Sequence, residues 1–78
     1  MMEIKVLGTS CPTCQATERL VREAVKEAGV AATVEKVSDM MIIAEYGVLG
    51  TPAVVVDGVV KSAGRVPNKA DIIRWVKQ

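Results

Sequence analysis

The sequence holds two thiols, Cys11 and Cys14, separated by Pro12 and Thr13, and no histidine in its 78 residues. Two cysteines three apart at the first turn of a helix can be bonded or opened with little backbone movement, which suits reversible thiol–disulfide exchange. As a staple the pair is poorly placed. Closing a loop of about four residues gains roughly 2 kcal/mol in the chain-entropy account, against about 3 for a 15-residue loop. Pro12 brings a φ suited to a helix start and no N–H to satisfy, so it preorganises the turn. Free backbone N–H groups and the positive end of the helix dipole then point toward Cys11 and favour its thiolate. Cys11 is therefore the expected attacking sulfur. Cys14, one turn further in, is expected to be shielded, higher in pKa and suited to resolve the mixed disulfide that Cys11 forms. The lack of histidine removes imidazole acid–base catalysis and the Cys/His zinc combinations, and a four-ligand structural zinc would need a second chain.

The elements that position this pair are legible from periodicity. Residues 2–7 alternate Ile4 and Val6 with Glu3 and Lys5 and run into Gly8-Thr9-Ser10, a strand ending in a tight loop. From Pro12 to Ala28, Ala16, Leu20, Val21, Ala24, Val25 and Ala28 recur at helical spacing, Glu18/Arg22 and Arg19/Glu23 form i,i+4 pairs, and Gly29 marks the stop. Residues 32–37 read as a second strand, and Ser38-Asp39 as the cap of a short helix to Tyr46, closed by Gly47. Ala53–Val56, Asp57-Gly58 and Val59–Lys61 give a hairpin, because Asp-Gly tolerates the positive φ of a two-residue turn. Asn68 or a neighbour starts a last helix through Ile72, Ile73 and Val76. The order is βαβαββα, with a right-handed crossover between the first two strands and an antiparallel last pair.

Composition narrows the function. Half the residues are apolar and 14 are Val, enough to fill one modest core. Ten Lys plus Arg against nine Asp plus Glu leave a net charge of +1, with no basic field for nucleic acid. Tyr46 and Trp75 are the only aromatic residues, so base-stacking platforms are poorly supported. Met1 to Gly8 has neither a basic leader nor a long apolar run, and no segment approaches the ~18 residues that span a bilayer. The expectation is a soluble, cytoplasmic monomer without a membrane partner.

In Tyr46-Gly47-Val48-Leu49-Gly50-Thr51-Pro52-Ala53, a proline opens the apolar third strand, where its missing donor is harmless. Together with the Cys-x-x-Cys between the first strand and first helix, this resembles the thioredoxin superfamily over nearly the whole chain. It is most similar to the small prokaryotic redox-active disulfide proteins, with their Gly-Thr-x-Cys-Pro-x-Cys and Tyr-Gly-Val-x-x-Thr-Pro-Ala segments. The resemblance implies an α/β thioredoxin fold, a four-stranded mixed sheet with helices on both faces, in one domain over residues 1–78. It implies a thiol–disulfide oxidoreductase with Cys11 and Cys14 as catalytic residues and Pro12, Thr13, Thr51 and Pro52 as substrate-binding residues. Thr51–Pro52 is then a cis peptide facing the disulfide, Thr51 offers backbone hydrogen bonds to an extended substrate, and Pro52 shields the sulfurs from metals. No cofactor is implied; the partners are protein disulfides and a reductase or thiol donor.

The chain departs from the patterns it resembles in places. Ser10 stands where thioredoxins carry Trp, and Pro12-Thr13 replaces their Gly-Pro. Thr13 and the single Gly64 weaken a glutathione site of the glutaredoxin type, and Arg65 and Lys69 read as solvated surface cations. Residues 8–14 also resemble the metal loop of heavy-metal-associated domains, whose two thiolates carry Cu(I). A soft-metal carrier is thus the alternative function, although position 9 is Thr rather than Met and those domains run βαββαβ. A third reading takes Met40-Met41-Ile42-Ile43 as a partner-binding surface. The expectation is instead a short helix packed on both sides, with Trp75 in the core beside Ile72 and Val76.

Overall fold

The computed structural model describes residues 2–9 and 11–77; Ser10, assigned above to the first loop, lies outside them, as do Met1 and Gln78. The chain runs β1 (Met2–Leu7), α1 (Pro12–Ala28), β2 (Ala32–Val37), α2 (Met40–Glu45), β3 (Ala53–Val56), β4 (Val59–Ala63) and α3 (Lys69–Val76). The sheet order is β2-β1-β3-β4. β1 pairs with β2 in parallel, while β1–β3 and β3–β4 are antiparallel. α2 stands between β2 and β3, which departs from the βαββαβ order of the metal-carrier alternative.

Strand alternation divides the core between the two faces of the sheet. Ile4, Val6, Val54 and Val56 point to one side, where Val21 and Ala24 of α1 and Ile72, Trp75 and Val76 of α3 cover them. Leu7, Val37, Ala53 and Val55 point to the other and meet Ile43 of α2. β3 is buried along its whole length, as a central strand with helices on both sides should be.

The helix ends follow side-chain chemistry. Asn68 Oδ1 accepts from Asp71 N at 2.8 Å and caps α3. Asp39, rather than Ser38, caps α2 by accepting from Met41 N at 2.9 Å. Gly29 ends α1 at φ 68°, the left-handed conformation that glycine adopts without penalty. The hairpin turn has positive φ at both Asp57 (48°) and Gly58 (83°), as the sequence predicts.

Two details differ from expectation. β4 runs on to Ala63, because a register shift between Val54 and Val55 lets Ser62 and Ala63 keep pairing with Val54 and Ala53. α2 is not packed on both sides. It buries Ile43 and leaves Met40 and Met41 63% and 76% exposed, since a helix of six residues presents a single face to the sheet. No helix among the described residues is long and apolar enough to cross a membrane.

Candidate active site

The site is assembled where β1 hands over to α1. Cys11 is the N-cap of α1, Pro12 the first helical residue, and Cys14 lies within the first turn. Cys11 and Cys14 form a disulfide with Cα atoms 5.1 Å apart. The two sulfurs occupy different environments. Cys11 is half-buried and Cys14 is 1% exposed. Cys11 Sγ accepts the Cys14 backbone N–H at 3.1 Å, the place an oxygen takes in an ordinary N-cap. Thr13 Oγ1 lies 3.3 Å from the same sulfur. The turn is held by Cys11 N donating to Thr9 O at 2.8 Å, Gln15 N to Cys11 O at 2.9 Å, and the buried Thr17 hydroxyl to Thr13 O at 2.8 Å.

Gly8 sets the depth of Cys14. Its N–H donates to Val37 O at 2.9 Å, which ties the end of β1 to β2. A β-carbon on Gly8 would stand 2.5 Å from Cys14 Sγ, 3.2 Å from Cys14 Cβ and 3.6 Å from Thr51 Cβ. Glycine here serves close approach, because it alone leaves room for the buried sulfur. From the sequence Gly8 belongs to a tight loop and to the motifs the loop resembles; the need for close approach appears only when the helix start sets Cys14, six positions on, against it.

Those contacts bring Thr51 beside the cysteines. Thr51 is exposed, Pro52 is buried, and the peptide between them is cis. Gly64 N donates to Pro52 O at 2.9 Å, which fixes this segment against the residues after β4. Pro12 and Thr13, the residues between the two cysteines, are both exposed. All six residues singled out from the sequence thus lie around one end of the sheet.

A groove of about 610 Å³ runs beside this end, lined by Val48, Leu49, Gly50, Val60, Ala63 and Gly64. Leu49 is fully exposed there, which its place in an apolar segment did not suggest. Lys69 is not a free surface cation. Its ammonium pairs with Glu27 at 2.6 Å and Glu23 at 3.3 Å, joining α3 to α1, and hydrogen bonds to those carboxylates raise its pKa above the ordinary lysine value. A hydrogen bond to Tyr46 raises the Lys5 pKa on the opposite sheet face. No group of three or more His, Cys, Asp or Glu side chains gathers among the described residues.

The chain is similar to known proteins over most of its length. A family model described as a thioredoxin domain matches residues 2–77. A thioredoxin of Methanothermobacter thermautotrophicus is 46% identical over 72 residues, covering 92% of this chain and 94% of that protein. A thioredoxin of Methanocaldococcus jannaschii is 40% identical over 77 residues, covering 99% and 88%. Among solved structures, a mutant thioredoxin from Halobacterium salinarum superposes with a TM-score of 0.76 over 97% of this chain and 72% of that one. At 19% identity it speaks for the fold alone. A Cys-x-x-Cys pair on a four-stranded mixed sheet with helices on both faces defines a thiol–disulfide oxidoreductase. The chain belongs to the thioredoxin family.

Proposed function

We propose that Cys11 attacks and Cys14 resolves, and that the client is an extended protein segment carrying a disulfide. The Cys11 thiolate displaces one sulfur of the client disulfide, forming a mixed disulfide and releasing the other client sulfur as thiolate. Cys14, deprotonated, then attacks Cys11 Sγ and expels the second client sulfur. The client gains two electrons, and the Cys11–Cys14 disulfide is left for a reductase or thiol donor to reopen.

The observation that carries this assignment is the asymmetry of the pair. Cys11 is the more exposed sulfur and already accepts a backbone N–H, whereas Cys14 is buried under Gly8. Amide donors and a helix N-terminus favour the thiolate that must attack, and burial keeps the resolving thiol away from clients. The exposed Thr51 lies next to the pair, suited to offer its backbone to an extended client, and the exposed Pro12 and Thr13 are available to the same client. The reading extends to protein disulfides reduced in the cytoplasm by a monomer.

Trapping tests the assignment. Cys14→Ser is expected to accumulate a mixed disulfide with an insulin-type disulfide substrate, released by dithiothreitol, while Cys11→Ser forms none. Equal trapping by both variants would reverse the conclusion that the roles differ.

A further inference from the structure

Among the described residues, Thr13 is the side chain, besides the cysteines, whose polar atom meets a reacting atom. In the disulfide neither sulfur carries a proton, so the 3.3 Å contact is Thr13 Oγ1–H donating to Cys11 Sγ. Cys11 Sγ therefore holds two donors, this hydroxyl and the Cys14 N–H at 3.1 Å. The contact follows from the helix start: with Cys11 at the N-cap, Thr13 is the second helical residue, and side chains there lean back toward the N-terminus. The Thr13 carbonyl is anchored by the buried Thr17 hydroxyl, so the first turn that carries the donor is fixed.

We propose that the Thr13 hydroxyl is a thiolate donor that lowers the Cys11 pKa and makes the pair more easily reduced; this rests on Cys11 being the attacking sulfur. A hydrogen bond to a full negative charge is roughly twice as strong as one to a neutral acceptor. The hydroxyl therefore stabilises the Cys11 thiolate more than the disulfide sulfur, and the two-electron equilibrium shifts toward the reduced pair. Neighbouring charges do not supply the same effect. Residues 8, 9, 11–17 and 50–53 contain no ionisable side chain other than the two cysteines, and the first turn of α1 has no acid. The segment held against Pro52 by Gly64 carries one cation, Arg65, which is exposed and unchanged by substitution at Thr13. The family resemblance implies a place for Thr13 on the substrate rim; its hydroxyl also acts on the nucleophile itself.

The test compares Thr13→Val, Thr13→Ala and Thr13→Ser in the full chain. Alkylation of the reduced proteins by iodoacetamide is followed against pH with the modified cysteine identified by mass, and the pair is equilibrated with dithiothreitol at pH 8. Thr13→Val and Thr13→Ala are expected to raise the Cys11 pKa by about half to one unit. The reduced-to-oxidised ratio at fixed dithiothreitol should fall about three- to tenfold, or roughly 15–30 mV toward more negative potential. Thr13→Ser should restore wild-type behaviour, and alanine guards against an effect of the extra methyl of valine. Wild-type pKa and ratio in both valine and alanine variants, or a serine variant shifted like valine, would overturn the role of the hydroxyl while leaving Cys11 as nucleophile. Cys14 as the low-pKa thiol in the wild type would overturn both.

Discussion

Gly8 lies directly against Cys14: a single methyl added to its backbone would reach within 2.5 Å of the buried sulfur. The backbone cannot retreat easily, since Gly8 N is bonded to Val37 O. Overpacking of this kind costs about 1–3 kcal/mol. Gly8→Ala is therefore expected to lower unfolding stability by that amount in denaturant titration. Insulin reduction should slow by about tenfold or more, because Cys14, the thiol proposed to resolve, is pushed from its line of attack. A variant with wild-type stability and turnover would show that Cys14 yields freely at this contact.

Accessibility sets the order in which the thiols react. In the reduced protein, iodoacetamide is expected to modify Cys11 first, because Cys14 is 1% exposed and shielded by the first turn of α1. The apparent pKa of the reactive thiol should fall below the free-thiol value of about 8.5. Mass mapping after partial alkylation checks the order, and equal labelling of the two cysteines would contradict it. Unfolding in denaturant should abolish the difference.

Much of this arrangement was legible because local chemistry and global fold agree. The Asp57-Gly58 turn, the Gly29 stop and the valine run of β3 each announce their structure within a few residues. The cap formed by Cys11 follows from Pro12 and the helical period beyond it. What sequence did not reveal depends on how separate segments meet in space. Gly8 is needed because Cys14 folds back over it, the length of β4 depends on a register shift in its pairing with β3, and Lys69 meets glutamates that precede it by more than 40 positions. Exposure of Met40 and Met41 likewise depends on how much of one sheet face a six-residue helix can cover.

The Lys69 pairs give a pH signature of their own. The folded protein raises the Lys69 pKa above 10.5, so the contribution of the ion pairs to stability is fully present below that unfolded value. It is lost as pH rises through the folded-state value. Thr13 and the cysteines are not involved, so Lys69→Gln is expected to lower the thermal midpoint by no more than a few degrees and to leave insulin reduction unchanged. The midpoint difference between wild type and variant should vanish in strongly alkaline buffer, and also in 1 M salt, where the screening length falls to about 3 Å. A difference independent of both conditions would assign the effect to packing of the lysine stem instead.

Metal binding separates redox exchange from carriage of a soft ion through the same thiols. Zinc in a stable protein site takes about four ligands, and the described residues offer Cys11 and Cys14 without any third Cys, His or carboxylate close by. Cys14 is also covered by Gly8 on one side and by its own helix on the other, so an ion at Cys11 would have to draw a buried sulfur outward. The reduced protein is therefore expected to lose zinc to a chelator of nanomolar affinity at neutral pH, and any zinc retained should bridge two chains, seen as dimer in native mass spectrometry. Gly8→Ala, which crowds the second sulfur, should not tighten that binding. Tight zinc or Cu(I) at one ion per monomer, together with failure to reduce insulin, would transfer the pair from electron exchange to metal carriage.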